Sequence, residues 1–400
     1  MSTDLNTPPA GDNDPGRGFP VSEFEARLSR AQAAMAKTGL DGLFLTTEPE
    51  IRYFTGFLTR FWLSPTRPWF LLVPSDGKPV AVVPSIGREC LAATWLDDVR
   101  SWASPQPEDE GVSLLATTMR DMFPHKSRIG IPEGPETHLR MPLGDYRRLH
   151  ALLPDIEFTD AADLIKNLRM VKSPAELEKI THACAIVSDV FEAFPGILTA
   201  GMSEVEIFRR FKIACLERGI DDVDYLVGGA GPGGYTDIIS PPSLRRVGAG
   251  DILMLDTGAM FDGYFCDFDR NFAFGHVPAE TAKAYAVLLD ATEAGLQATR
   301  PGSTCADIYR AMQRVLETDY PGGSGVGRMG HGLGMQLTEW PSITPKDETV
   351  LQPGMVLTLE PSVDLDAGRM IVHEENLVVT ADGPVLLTRP APKSMPVIPG

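Results

Sequence analysis

Five residues in the second half of the chain have the types and settings for metal-assisted hydrolysis: Asp256, Asp267, His331, Glu360 and Glu374. Two of them lie in the run D-I-L-M-L-D-T-G-A-M-F-D-G-Y-F-C-D-F-D-R-N-F-A-F, from Asp251 to Phe274. Asp-Gly between two β-rich apolar runs is a strong hairpin signal. With Asp262-Gly263 as turn centre, Asp256 stands opposite Asp269, and Asp267 lies diagonally across the same face, where such neighbours are roughly 7–8 Å apart. Like charges that close destabilise a sheet unless a cation sits between them. A pair of divalent ions about 3.5–4 Å apart would serve. The alternative is a solvated polar face on an edge hairpin, but three aspartates inside one apolar hairpin make that the weaker reading.

Three later segments add donors. Gly330-His331-Gly332-Leu333-Gly334 sets a histidine among glycines, which allows close approach to a small hard object. The apolar strand Met355 to Leu359 ends in Glu360 and is stopped by Pro361. A strand expected from Met370 to Val379 carries His373-Glu374-Glu375. A carboxylate inside an apolar strand is costly unless paired or metal-bound. Four carboxylates and one imidazole suit two divalent ions, with Mn, Co, Fe(II) or Zn favoured over thiolate-type metals. The chemistry is then attack by an activated water on a polarised carbonyl or its equivalent.

These donors need a scaffold. Phe24, Leu28, Ala31 and Met35 recur at helical spacing between Ser22 and Leu40, with Gly39 as C-terminal cap. Leu43 to Leu45 reads as a strand, and Trp69 to Val73 and Pro79 to Val83 read as paired strands. Alternating helix and strand signals run to about Asp163, so the first domain is expected to be α/β. It contains no nucleotide-binding glycine fingerprint. Thr59 to Pro68, with an exposed-looking Trp62, reads as a loop reaching toward a ligand or a neighbouring subunit, or else as an aromatic packing corner. His125, His138 and His150 lack ligand spacing. Ser173-Pro174-Ala175-Glu176 is a capping box that starts a new helix and domain. The expected division is a disordered tail over 1–18, an α/β domain over 19–167 and an α+β catalytic domain over 168–400. In the latter, Ser203 to Arg218, Pro278 to Arg300 and Thr304 to Leu316 read as helices, and Gly228 to Pro242 as a Gly/Pro-rich loop.

Composition restricts the function classes. The chain has 400 residues and a net charge of −18. That charge argues against nucleic acid and anionic membrane surfaces as partners. No apolar run is long enough for a transmembrane helix, and the first residues do not read as a signal peptide. Five cysteines without a C-x-x-C pair fit a reduced, cytoplasmic protein in which each thiol is a small buried hydrophobe.

From about Leu168 to Leu387 the chain resembles the creatinase, prolidase and aminopeptidase P group, the pita-bread metallopeptidases. L-R-M-V-K-S-P-A-E-L-E-K is similar to the first helix of that domain. D-T-G-A-M-F-D-G-Y-F-C-D-F-D-R-N-F is similar to the segment with its first two metal ligands, at Asp256 and Asp267. G-H-G-L-G-M-Q-L-T-E-W-P is similar to its metal-histidine segment, at His331, and E-P and V-H-E-E-N-L-V-V-T-A-D-G to its glutamate segments, at Glu360 and Glu374. I-R-Y-F-T-G-F carries a looser likeness in the first half. The resemblance implies the pita-bread fold, a homodimer with partner loops near the site, a dinuclear metal centre and Glu360 as proton shuttle, with His331 beside it. The departures concern substrate. A histidine usual shortly before the Pro ending the glycine-rich loop is replaced by Ile239 or Ser240. The H-E pair before Trp/Pro is Thr338-Glu339. The usual Arg two residues before the last ligand is Val372, with His373 beside Glu374. The usual hydroxyl residue two positions after the second ligand is Asp269.

The expectation is a dinuclear-metal hydrolase of a C–N bond, Xaa-Pro dipeptidase- or aminopeptidase-like. The alternatives are a small-molecule hydrolase or lyase on the same frame, resembling ectoine hydrolase or dimethylsulfoniopropionate lyase, and a metal-binding non-enzyme. Tyr235, Asp237, Ser240, Thr338, His373 and Trp62 are the expected substrate-pocket residues.

Overall fold

Phe24, Leu28, Ala31 and Met35 are all buried on one face of the first helix, Val21–Thr38, which Gly39 closes in the left-handed conformation at φ 67°. The computed structural model describes residues 14–64, 66–321 and 327–400. They form two units, Arg17–Arg169 and Met170–Gly400, residues 14–16 belonging to the second. Of the tail expected over 1–18, residues 1–13 lie outside the described residues. Its end is held in place, because the Gly16 carbonyl accepts a hydrogen bond from Lys179 Nζ at 2.6 Å.

In the first unit, strands β1 (Gly42–Leu45), β2 (Phe70–Pro74), β3 (Val80–Pro84), β4 (Asp98–Trp102), β5 (Arg128–Ile131) and β6 (Glu157–Asp160) form one mixed sheet in the order β4-β3-β2-β1-β5-β6. The expected pairing of β2 with β3 is antiparallel, with Phe70 opposite Val82. Helices cover the sheet, and Phe44, Phe70, Trp102, Leu115 and Ile129 fill the core between them. His125, His138 and His150 are exposed. Trp62 is not exposed as expected. It sits in a short 3₁₀ turn, Arg60–Leu63, and is only 9% accessible. Its ring lies 5.5 Å from that of Trp69, and the Arg140 guanidinium lies 5.5 Å from its centroid. Trp62 makes the aromatic packing that the corner reading expects, since a large indole gains most by burial.

The second unit begins with the helix Pro174–Ala193. Ser173 accepts from the Glu176 N–H and Glu176 reaches back to the Ser173 N–H, which completes the capping box. Strands β7 (Asp222–Pro232), β8 (Asp251–Phe261), β9 (Tyr264–Phe265) and β10 (Phe268–Phe274) build one sheet. The hairpin turns at Asp262 (φ 46°) and Gly263 (φ 80°), both left-handed as the tightest hairpin turns require. Asp256 accordingly pairs with Asp269. Part of the expected loop over 228–242 is strand instead. Gly228 to Pro232 continue β7 and pair residue by residue with Leu255 to Asp251. A glycine-rich run can still ladder when its partner strand supplies the side chains.

A second sheet has the order β12-β11-β13-β16-β17, built from β11 (His331–Gly332), β12 (Glu339–Ser342), β13 (Val356–Leu359), β16 (Glu375–Thr380) and β17 (Gly383–Leu386). The ribbon β14 (Ser362–Asp364) with β15 (Met370–Val372) stands apart from it, and β18 (Val397–Ile398) edges the first sheet beside β10. The single strand expected over 370–379 is therefore two. It breaks at His373-Glu374, where β15 leaves β14 and β16 joins β13. Helices Ala279–Ala298 and Cys305–Asp319 pack on an extensive apolar core that includes Ile252, Leu288, Met312, Leu357 and Leu377.

Candidate metal centre

The hairpin, the glycine-flanked histidine, the end of β13 and the break between β15 and β16 converge inside the second unit. Ligand atoms of Asp267, His331 and Glu374 all lie within 4.8 Å of one another, and the three residues are buried. His331 Nε2 is 3.4 Å from Asp267 Oδ2 and 3.8 Å from Glu360 Oε1. Asp256 stands close enough to Asp267 and Glu374 that, after burial, its charge helps to raise both of their carboxyls.

Local backbone fixes these directions. Gly330 has φ 146°, and a Cβ there would stand 2.2 Å from the Thr358 carbonyl oxygen. Only glycine lets the chain pass so close to β13. The next residue, His331, donates its N–H to Thr358 Oγ1 at 3.0 Å, and its Nδ1 lies 2.8 Å from the Gly332 carbonyl. That carbonyl can only accept, so Nδ1 carries the proton and the Nε2 lone pair faces the carboxylates. Burial pushes His331 down to about 3, so the imidazole is neutral and its approach to Asp267 is not an ion pair.

Burial pushes the Asp256 and Glu360 carboxyls up to about 7 each. Asp267 and Glu374 are raised well above the usual carboxylate range by burial and then by their neighbouring carboxylates. One oxygen each of Asp256, Glu360 and Glu374 is buried with no hydrogen-bond partner. Arg328 Nε lies 3.5 Å from Glu360 Oε1, within ion-pair range but without hydrogen-bond geometry. Orphaned carboxylate oxygens at the centre of a buried cluster are expensive. An oxygen-rich set with one imidazole fits hard or borderline divalent cations.

Of the residues expected to line a substrate pocket, some are buried and some exposed. Tyr235 is 1% exposed, and its hydroxyl both donates to Asn271 Oδ1 at 3.1 Å and accepts from the Val372 N–H at 2.6 Å. It is a buried hydrogen-bonding post whose one hydroxyl proton is already given to Asn271. Asp237 is exposed, but its carboxylate accepts from the N–H groups of Ile239 and Ser240, at 2.9 and 2.8 Å, and from the Ser240 hydroxyl. The two side chains cap their own turn. Thr338 is exposed and its hydroxyl stands 3.5 Å from Arg328. His373 is 1% exposed and lies behind the cluster, with Nε2 3.4 Å from Glu375 Oε1. Among the cysteines, Cys184, Cys215, Cys266 and Cys305 are buried but Cys90 is exposed.

Several working residues had no sequence signal of their own. Asn376 Oδ1 accepts the Asp267 N–H at 2.9 Å while its Nδ2 donates to the Asp267 carbonyl. Arg270 donates to the Glu374 carbonyl at 3.0 Å and to Glu375 Oε2 at 2.9 Å. Burial and then the Asp256 charge beside it raise the Tyr225 phenol. Asn376 and Arg270 stand inside recognisable motifs, and a polar residue within an apolar strand was the available hint.

Residues 178–381 match the model of metallopeptidase family M24, and residues 27–171 match that of the creatinase/prolidase N-terminal domain. The chain is 28% identical over 394 residues to a probable dipeptidase PepE of Mycobacterium bovis, covering 96% of this chain and 99% of the relative. It is 25% identical over 359 residues to an Xaa-Pro dipeptidase of Lactobacillus delbrueckii, covering 89% and 95%. Among solved structures, dipeptidase PepE from Mycobacterium ulcerans superposes with a TM-score of 0.83 at 28% identity, covering 96% of this chain and all of that one. A prolidase from Thermococcus sibiricus does so with a TM-score of 0.83 at 25% identity, covering 94% and 99%. The α/β first unit and pita-bread second unit are those of prolidases, and the chain belongs to metallopeptidase family M24, whose members are metal-dependent hydrolases.

Proposed function

We propose that this chain is a dinuclear-metal dipeptidase, acting on short peptides of the Xaa-Pro type. Asp256, Asp267, His331, Glu360 and Glu374 would hold two divalent cations, manganese, cobalt, iron or zinc. The observation that carries this is the set of buried oxygens without a hydrogen-bond partner on Asp256, Glu360 and Glu374, gathered with the Nε2 lone pair of His331. Four carboxylates and one imidazole suit two divalent ions of the hard or borderline kind. The names of the relatives, dipeptidase and Xaa-Pro dipeptidase, support the substrate class.

When bound, the cations supply Lewis acidity toward a carbonyl oxygen and acidify water. The chain's own residues do the rest. The backbone clasp of Asn376 holds Asp267 in one orientation. The Gly332 carbonyl holds the proton of His331 on Nδ1, leaving Nε2 as a donor atom. Glu360 Oε1, at the end of β13 and free of hydrogen bonds, is the proton carrier between attacking water and leaving nitrogen. Arg328, 3.5 Å away, steadies its charged form. A homodimer is part of the proposal, as is a cytoplasmic setting. No helix among the described residues is long and apolar enough to cross a membrane.

The test is metal content per chain after loading with manganese, followed by turnover of Ala-Pro and Gly-Pro. About two equivalents with manganese-dependent release of proline supports the proposal. Two equivalents without peptide turnover, but with metal-dependent consumption of a betaine or cyclic amidine, would replace the substrate class and keep the centre.

A further inference from the structure

Asp269 is a buried acid that the five-ligand set does not use. It is 1% exposed and stands directly opposite Asp256 in the β8–β10 ladder. Paired residues lie on one sheet face with Cβ atoms roughly 4.5–5.5 Å apart, so its carboxylate shares the face that Asp256 presents to the cluster. Asp269 Oδ1 accepts the N–H of Glu374, another of the five, at 3.3 Å. Asp269 Oδ2 is buried and has no hydrogen-bond partner.

The neighbouring cation does not answer for that oxygen. Arg270 directs its guanidinium to the carbonyls of Asp269, Glu374 and Arg389 and to Glu375 Oε2. The other neighbour is His373, whose Nδ1 lies 3.9 Å from Asp269 Oδ1, beyond hydrogen-bond range, and is itself partnerless. The ring is held from the far side by Glu375, which Arg270, Thr388 and the Ala391 N–H anchor in turn. His373 therefore walls Asp269 in without neutralising it. A buried carboxylate with one free oxygen is costly unless it takes up a proton or a positive charge comes beside it, and a cation bound by its neighbours Asp256 and Glu374 would be that charge.

We propose that Asp269 is a further residue of the metal centre, a fifth carboxylate that acts with Asp256 and Glu374 on the bound cations. It is a positioning residue: Oδ1 fixes the backbone of Glu374, and Oδ2 adds negative charge beside Asp256. The inference rests on the reading of the cluster as a site for divalent cations. Its consequence is tighter cation binding than the five ligands alone provide.

Asp269→Asn separates the two roles, because the amide oxygen still accepts the Glu374 N–H while the charge is gone. The measurement is titration of full-length metal-free protein with cobalt(II), followed by calorimetry and visible absorption. The expected result is a loss of cobalt affinity of about 10–100-fold with an altered visible spectrum. Equal affinity and an unchanged spectrum in Asp269→Asn and wild type would overturn the inference. Asp269→Ser is measured alongside, so that failure of one variant to fold leaves the other to decide. A wild-type stoichiometry below two would overturn the dinuclear reading separately, while the difference in affinity between the proteins still decides the role of Asp269.

Discussion

Asn376 clasps the backbone of Asp267 from both sides, accepting its N–H at 2.9 Å and donating to its carbonyl. Cys184 Sγ approaches the same amide oxygen at 3.4 Å, so the clasp is itself seated in the core. The side chain that points Asp267 at the cluster is thus controlled from β16, the strand that follows Glu374.

Breaking this clasp should loosen metal binding without removing any ligand. Asn376→Ala is expected to lower metal affinity about 10–100-fold, as losses in the shell around a metal site do. It should also cost about 1–3 kcal/mol of stability from the unpaired Asp267 amide. Metal titration and urea denaturation report the two effects. Unchanged metal affinity would mean that Asp267 is oriented by other contacts.

Asp267 itself lies close to both His331 and Glu374. Asp267→Ala should abolish metal retention and activity while leaving the far-ultraviolet circular dichroism of the fold in place. Elemental analysis after gel filtration checks it, and near wild-type activity would sink the dinuclear centre.

Gly330 offers a test of backbone approach. Gly330→Ala forces a Cβ toward the Thr358 carbonyl, 2.2 Å away, and displaces the His331 N–H from Thr358 Oγ1. The expected outcome is a lower melting temperature together with weakened metal binding. A variant as stable and as metal-avid as wild type would show that β11 and β13 can separate at no cost.

Lys172 and Glu339 form a buried pair at 3.1 Å, with side chains 2% and 1% exposed. Removing one partner of a buried pair typically costs about 3–5 kcal/mol. Lys172→Met should lose that much in urea denaturation, and adding Glu339→Gln should restore part of it. Two independent, additive losses would mean the pair is not coupled.

The pH dependence of the metal-free protein follows from Asp256 and Glu360. Burial raises both carboxyls to about 7 in the folded chain, against about 4 when unfolded. Between those values the folded state holds more protons than the unfolded one, so stability falls as pH rises through about 4 to 7. Metal binds the deprotonated carboxylates, so uptake releases protons and tightens with rising pH. Manganese should therefore raise the melting temperature more at about pH 8 than at about pH 5, and Asp256→Asn should flatten the difference. A manganese effect independent of pH would contradict the raised carboxyls.

The sequence by itself determined the elements whose causes are local. The Asp262-Gly263 turn sets the register that faces Asp256 with Asp269, because a two-residue loop leaves one pairing. The capping box at Ser173 starts its helix for a reason contained in four residues. Periodicity predicted the helix that became Val21–Thr38. What only the tertiary structure decided depends on partners far along the chain. Asn376 reaches back over 109 residues to Asp267, and Lys172 reaches forward over 167 to Glu339. Neither distance leaves a mark in local composition. The break at His373-Glu374 was hidden because both halves have strand character, and only their different partners, β14 and β13, separate them. Trp62 and Tyr235 looked available to a ligand because an aromatic with a polar edge suits a pocket as well as a core. Burial against Trp69 in one case and two hydrogen bonds in the other assigned them to the core.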